Sequence, residues 1–120
     1  MDIASIVGVD GFVAGLRRCG LTPVLDCAVV TFEVEVLGGP HTGRLVPTGV
    51  GVPELEAWPA VPPHWVHLPT DVPLTRTNSD VNETLFGWVR HSRQIAGWGD
   101  AEEPTQAWVA HVRGVLAEAA

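Results

Sequence analysis

Proline is concentrated in one stretch of this sequence, and it restricts the possible folds more than any other feature. Six of the ten prolines lie between residues 53 and 75. They are Pro53, Pro59, Pro62, Pro63, Pro69 and Pro73. Each proline fixes φ and lacks a backbone N–H, so this density excludes a helix and a central strand. We expect a stiff crossing segment, in which only residues 64–68, HWVHL, form a short edge strand.

The clearest strand signal lies at residues 28–36, AVVTFEVEV. Apolar residues alternate there with residues that include two glutamates, which predicts one face on the core and one towards water. Residues 37–43 are rich in glycine and proline and predict a turn. Residues 44–52 predict a second, weaker strand, interrupted at Pro47 and Gly49, so that an antiparallel hairpin is the expected arrangement.

Helical patterns occur near both ends of the chain. Asp10 is expected to cap a short helix that ends at Gly20. The strongest helix follows Pro104, and its apolar residues recur at helical spacing. This stripe consists of Trp108, Val109, Val112, Val115, Leu116 and Ala119. Apolar residues between positions 82 and 95 give partial helical spacing, which predicts a further short helix.

The order of these elements predicts an α+β fold. A helix is followed by antiparallel strands, a proline-rich crossing, a short helix and a long helix. We therefore expect a small antiparallel β-meander with C-terminal helices packed on one face, forming one domain over residues 1–120.

The charge of the chain bears on its partners. The net charge is −7, so a phosphate backbone would be repelled and nucleic-acid binding is disfavoured. All seven basic residues are arginines, which indicates either codon bias or avoidance of side-chain amines near an acylating system. The N-terminus lacks the basic region of a secretory signal, and no apolar run is long enough to span a membrane. We expect a cytoplasmic protein.

Three local motifs resemble the ubiquitin-conjugating enzyme family. Residues 38–43, GGPHTG, resemble its Gly-Pro turn after the second strand, and residues 57–69, AWPAVPPHWVHLP, resemble its tyrosine/proline segment. Residues 97–116, GWGDAEEPTQAWVAHVRGVL, are similar to the opening of its late helix. Residues 88–98, WVRHSRQIAGW, also resemble bacterial relatives of these enzymes. The resemblance covers residues 8–118 and implies a ubiquitin-conjugating-like fold.

The sequence departs from that family at the nucleophile. The family's catalytic cysteine would fall within residues 87–98, which hold no cysteine, and its histidine-proline-asparagine motif has no counterpart. The resemblance therefore implies an inactive binding or adaptor module, with a ubiquitin-like modifier or an activating enzyme as partner. A bacterial modification or defence-linked system is its expected setting. This expectation fails if Cys19 or Cys27 lines the pocket beside residues 88–93.

The candidate site residues follow from the same segment. In an alternative, enzymatic interpretation, His91 acts as a base or acyl acceptor, with Asn78 or Asn82 as the oxyanion-stabilising residue. His91 could equally cap a helix end. A third interpretation is an unrelated small α+β interaction protein. The candidate binding residues are Arg90, Arg93, Trp88, Trp98, His64 and His67.

Neither a metal nor a cofactor is expected. His64, His67 and His91 would bind zinc only if the fold brought them together, and no paired ligand spacing indicates this. Cys19 and Cys27 are expected to be free thiols, because disulfides are rare in the cytosol. The resemblance places both far from the active-site groove.

Overall fold

The computed structural model describes residues 7–74, 77–99 and 103–120. Along the chain, six strands lie between two α-helices. The elements are α1 (Gly8–Arg18), β1 (Val24–Asp26), β2 (Val29–Glu35), β3 (Leu45–Gly51), a 3-10 helix (Val52–Leu55), β4 (Trp65–Pro69), β5 (Ser79–Asp80), β6 (Trp88–Ser92) and α2 (Pro104–Glu118). None of the described helices is both long and apolar enough to cross a membrane.

The strands form one antiparallel sheet in the order β1-β2-β3-β4-β6-β5. This confirms the α+β class and the hairpin, in which β2 pairs with β3 along its whole length from Val29↔Gly51 to Glu35↔Leu45. Pro47 is accommodated inside β3, opposite Glu33.

The prediction that residues 64–68 form an edge strand is wrong, because β4 lies inside the sheet. Its full partner is β6, from Trp65↔Ser92 to Pro69↔Trp88. Towards β3, the residue pair in register within the described residues is Gly49↔His67.

The predicted helix between residues 82 and 95 is also wrong, since β6 occupies Trp88–Ser92. Two residues before it have left-handed backbones, Glu83 with φ 51° and Gly87 with φ 79°. They reverse the chain between β5 and β6, and pairing with β4 then holds the segment extended. Within the described residues, α2 is therefore the one helix that follows the sheet.

Both helices bury their apolar stripes in one core on one face of the sheet. Phe12 and Leu16 of α1 and Trp108 of α2 are completely buried there, together with the inward residues of the strands. The stripe predicted for the C-terminal helix is confirmed, because all six of its residues are buried.

The ends of α1 follow two different rules. Gly20 ends the helix as predicted: its φ is 81°, and Leu21 N–H donates to Leu16 O at 3.0 Å. At the other end, the prediction that Asp10 caps the helix is wrong. The cap position is Val7, and Asp10 lies in the first turn, where its charge suits the helix dipole.

Candidate functional site

The sheet face opposite the helices carries three of the residues predicted for the site, His67, Trp88 and Arg90. In β4, Val66 and Leu68 are buried in the core, so Trp65 and His67 lie on the other face. In β6, Trp88 and Arg90 share that face by the same alternation. We call this surface the open face.

A loop between β5 and β6, residues 81–87, folds over part of the open face. Thr84 Oγ1 and His67 Nδ1 are hydrogen-bonded at 2.8 Å, and Glu83 pairs with Arg90 at 3.5 Å. His67 is therefore only 1% exposed although it lies on the sheet face away from α1 and α2. Thr84 and Glu83 are thus held by the sheet. The same loop exposes two apolar side chains to solvent, Val81 at 70% and Phe86 at 105% exposure.

Arg90 is fixed in place on the open face. It donates to Asp80 through Nε at 2.6 Å and through Nη2 at 3.2 Å, and its guanidinium lies 4.1 Å from the centre of the Trp65 ring. The hydrogen bonds from Arg90 lower the pKa of Asp80, and the same pairing raises the pKa of Arg90. The guanidinium therefore remains charged and restricted in orientation.

Glu54, at the end of the 3-10 helix, joins the crossing segment to this surface. Its Oε1 accepts the backbone N–H groups of His64 at 2.8 Å and Trp65 at 3.2 Å. Its Oε2 lies 3.9 Å from His67 Nε2. The carboxylate thus uses one oxygen to hold the start of β4 and directs the other towards the imidazole.

These groups border a cavity of about 300 Å³ at one end of the open face. Its polar lining includes Glu54, His67, Glu83, Thr84 and Arg90. Its apolar lining includes Ala28, Val29, Pro53 and Leu85. The arrangement can hold a small ligand or a side chain that carries a polar group at the end of an apolar stem.

Cys27 also lines this cavity, which corrects the expectation that both cysteines lie far from the site. The residue is an exposed free thiol in the tight β1–β2 turn, with φ 54°. Arg90 of β6 lines the same cavity, so a cysteine does line the pocket beside residues 88–93, and the condition under which the expectation of inactivity fails is met. Cys19, by contrast, lies after α1, where burial raises the pKa of its thiol.

The three residues considered for catalysis do not meet in this cavity. His91 is 4% exposed and shares the core face with Val66; its Nδ1 lies 3.2 Å from Thr77 Oγ1. Burial, and secondarily the nearby His67, lower the pKa of His91. Asn78 accepts the Ser92 N–H through its backbone carbonyl, and the Asn82 N–H donates to Asp80.

Four of the predicted binding residues are not part of the cavity lining: Trp88, which lies elsewhere on the open face, and His64, Arg93 and Trp98. The ring of His64 bonds to Ser92 Oγ, and Arg93 pairs with Glu118 at 2.5 Å. Trp98 packs on Trp58 with ring centres 5.4 Å apart and donates to Pro59 O at 2.8 Å. Trp98 therefore anchors the proline-rich crossing instead of contributing to the open face.

Within the described ranges, no group of three or more His, Cys, Asp or Glu side chains is placed to hold a metal ion. His67 and His91 lie on opposite faces of the sheet, so the three histidines do not form a ligand set. Sequence reasoning missed Glu54, Thr84 and Phe86, which carry no motif and gain their roles from the fold alone.

Comparison with protein-family models, curated proteins and solved structures found no match to this chain. A function for this chain therefore has to be inferred from the chain's own residues and structure.

Proposed function

We propose that this chain is a protein-binding or adaptor module of the ubiquitin-conjugating type, which holds a ubiquitin-like modifier or its activating enzyme through the open face. The observation that carries the proposal is Phe86, a large aromatic side chain that is completely exposed. Its loop is held by Thr84 and Glu83, so little ordering cost remains when a partner covers the ring. Exposed aromatic anchors of this kind are typical of interface hot spots.

Arg90 supports a binding role for the same surface. It lies in the segment where the resemblance places a nucleophile, and it is held there by Asp80 and Trp65. A guanidinium that is fixed in orientation contributes specificity towards a partner's carbonyl groups, through those N–H groups that do not bond to Asp80. Arginine and aromatic residues are also the types enriched at the centres of interfaces.

The architecture is compatible with the proposed family at a coarse level. A helix near each end of the described chain, an antiparallel sheet and a proline-rich crossing support the proposal, whereas strands β5 and β6 occupy the part after the crossing where the resemblance implies a helix. A bacterial modification or defence-linked system would be the setting of such a module.

Substitution of Phe86 tests the proposal. We expect Phe86→Ser to weaken binding of the same organism's ubiquitin-like modifier or activating enzyme by roughly tenfold or more, as loss of a hot spot does. Isothermal titration calorimetry measures the affinity of both partners. The matched control is Leu37→Ser. Leu37 is also a large exposed apolar residue, at 64% exposure, and it lies after the end of β2 and outside the loop of residues 81–87. Equal affinities for the two variants would contradict the proposal.

A second candidate function is thiol-dependent transfer at Cys27. The observation that favours it is that this exposed thiol and the buried His67 line one cavity. Incubation with activating enzyme, ATP and modifier separates the two candidates. A reducible adduct that is lost in Cys27→Ala but kept in Cys19→Ala would establish the second and overturn the non-covalent proposal. No adduct, with binding retained, is the result that the first predicts.

A further inference from the structure

Two polar atoms of the cavity lining, one from Glu54 and one from His67, lie on either side of a small space. Glu54 Oε2 and His67 Nε2 are 3.9 Å apart, too far for a direct hydrogen bond. A Cβ atom placed on Gly51 would lie 3.7 Å from Oε2 and 3.6 Å from Nε2. The space against both atoms therefore exists because residue 51 has no side chain.

His67 is 1% exposed and lines the cavity, and the hydrogen bond that its ring makes to the described part of the chain is at Nδ1 and not at Nε2. That bond joins Nδ1 to Thr84. With the proton on Nδ1 and donated to Thr84, Nε2 presents a lone pair to the cavity. An acceptor that lines a cavity beside a carboxylate oxygen suits a ligand that donates to both.

The charges at the cavity favour a cation. Two carboxylates, Glu54 and Glu83, line it. The guanidinium that also lines it, Arg90, is already bonded to Asp80 through two nitrogens, so it offers little to an anion. A metal ion is disfavoured because the described His, Cys, Asp and Glu residues form no three-ligand group.

The cation should be an ammonium and not a guanidinium. Guanidinium binds a carboxylate best through both oxygens. Oε1 of Glu54 is occupied by the backbone N–H groups of His64 and Trp65, which leaves Oε2 alone. A compact ammonium needs one oxygen from the carboxylate and can give its remaining hydrogens to Nε2 and other acceptors.

We propose that this cavity binds a primary alkylammonium group, with its nitrogen at Glu54 Oε2 and His67 Nε2 and its carbon chain along the apolar wall. Val29, Pro53 and Leu85 form the wall against which methylene groups pack. The chain contains no lysine, so it offers no ε-amine of its own to compete. A partner's lysine and a free alkylamine are the two sources of this chemistry.

Titration of the ¹⁵N-labelled protein with small amines tests the proposal. The probes are n-butylammonium and Nα-acetyl-lysine N-methylamide, and 1-pentanol is the neutral control. We expect saturable shifts of the amide signals of residues 51, 54, 67 and 84 with amines and none with 1-pentanol. Binding of both amines supports a lysine side chain as ligand, whereas binding of n-butylammonium alone supports a free amine. Equal response to 1-pentanol, or no saturable response, would overturn the proposal.

Two variants test separately the carboxylate charge of Glu54 and the space next to Gly51. Glu54→Gln keeps an oxygen for the backbone of His64 and Trp65 and removes the charge, so we expect amine binding to weaken roughly ten- to a hundredfold. Gly51→Ala leaves Glu54 and His67 in place but puts a methyl group, at ordinary contact distance, where the ammonium should lie. We expect it to weaken amine binding roughly tenfold or more.

Matched controls guard against general effects of the substitutions. Glu56→Gln removes an exposed carboxylate outside the cavity lining, and Gly38→Ala adds a methyl group 3.5 Å from Ala117 Cβ. Both controls should bind amines as the unmodified protein does. Unchanged affinity in Gly51→Ala would overturn the proposal even if Glu54→Gln failed to fold. These probes contain no protein partner, so the outcome is independent of the protein-binding proposal.

Discussion

At the scale of single residues, two faces of one strand give very different environments to neighbouring side chains. Arg90 and His91 are adjacent in β6, yet the first lies on the open face and the second in the core. The alternation of a strand is sufficient to cause this separation. The hydrogen bond with Asp80 raises the pKa of Arg90, whereas burial lowers the pKa of His91 and so favours its neutral form.

His91 and His111 should make the protein sensitive to mild acid. Burial is the main reason that the pKa of each histidine lies below the usual value of 6.5. The unfolded chain then binds more protons than the folded one, so the free energy of unfolding falls as pH drops through 6.5. The slope is at most about 1.4 kcal/mol per pH unit for each histidine.

The measurement is urea unfolding at several pH values between 7 and 5. We expect His91→Gln and His111→Gln each to reduce the slope of the unfolding free energy against pH. Unchanged slopes in both variants would refute this assignment. The carboxyls with a lowered pKa, Asp71, Asp80 and Glu118, lose their contribution at lower pH, as pH falls through their folded values. The loss of stability caused by the two histidines and the loss caused by these carboxyls therefore occur in different pH ranges.

At the scale of elements, the closest contact between the helices depends on a glycine. A Cβ atom on Gly15 of α1 would overlap the side chain of Thr105 in α2. The overlap is with the Thr105 Cβ as well as its hydroxyl, so a rotamer change does not relieve it. Gly15 therefore sets how closely α1 approaches α2.

Two glycine-to-alanine substitutions test this contact. Gly114 lies inside α2 with open space around it, so Gly114→Ala should stabilise the protein by about 0.5–1 kcal/mol through helix propensity. Gly15→Ala receives the same propensity gain but must displace α2, so we expect a net loss of about 1–3 kcal/mol. Urea unfolding measures both. Stabilisation by both substitutions would show that the helices are not in close contact at Thr105.

The elements differ in how far the sequence predicts them. Strand β2, the β2–β3 hairpin, the end of α1 at Gly20 and the stripe of α2 follow from local periodicity and turn chemistry, and all are confirmed. Strand β6 is not predictable in this way. Its backbone is held extended by pairing with β4, a contact distant in sequence, and the loop before it has partial helical spacing.

At the scale of the whole molecule, the candidate site is assembled from segments far apart in the chain. Cys27, Glu54, His67, Thr84 and Arg90 come from a hairpin turn, the 3-10 helix, two strands and a loop. Residue type and spacing identified His67 and Arg90 as candidates. Nothing in the sequence places Cys27 next to them, since that proximity arises when β2 pairs with β3, with Val29 opposite Gly51 and the Val52 N–H donating to Ala28 O at 2.8 Å.

The central claim is that the open face is a surface for non-covalent protein binding. The most direct measurement is a chemical-shift map of the ¹⁵N-labelled chain, titrated with the same organism's ubiquitin-like modifier or activating enzyme. The account predicts that perturbed amides cluster in residues 81–90, around Phe86 and Arg90, and that no adduct forms at Cys27. A map centred on α1 and α2, or a covalent adduct at Cys27, would contradict it.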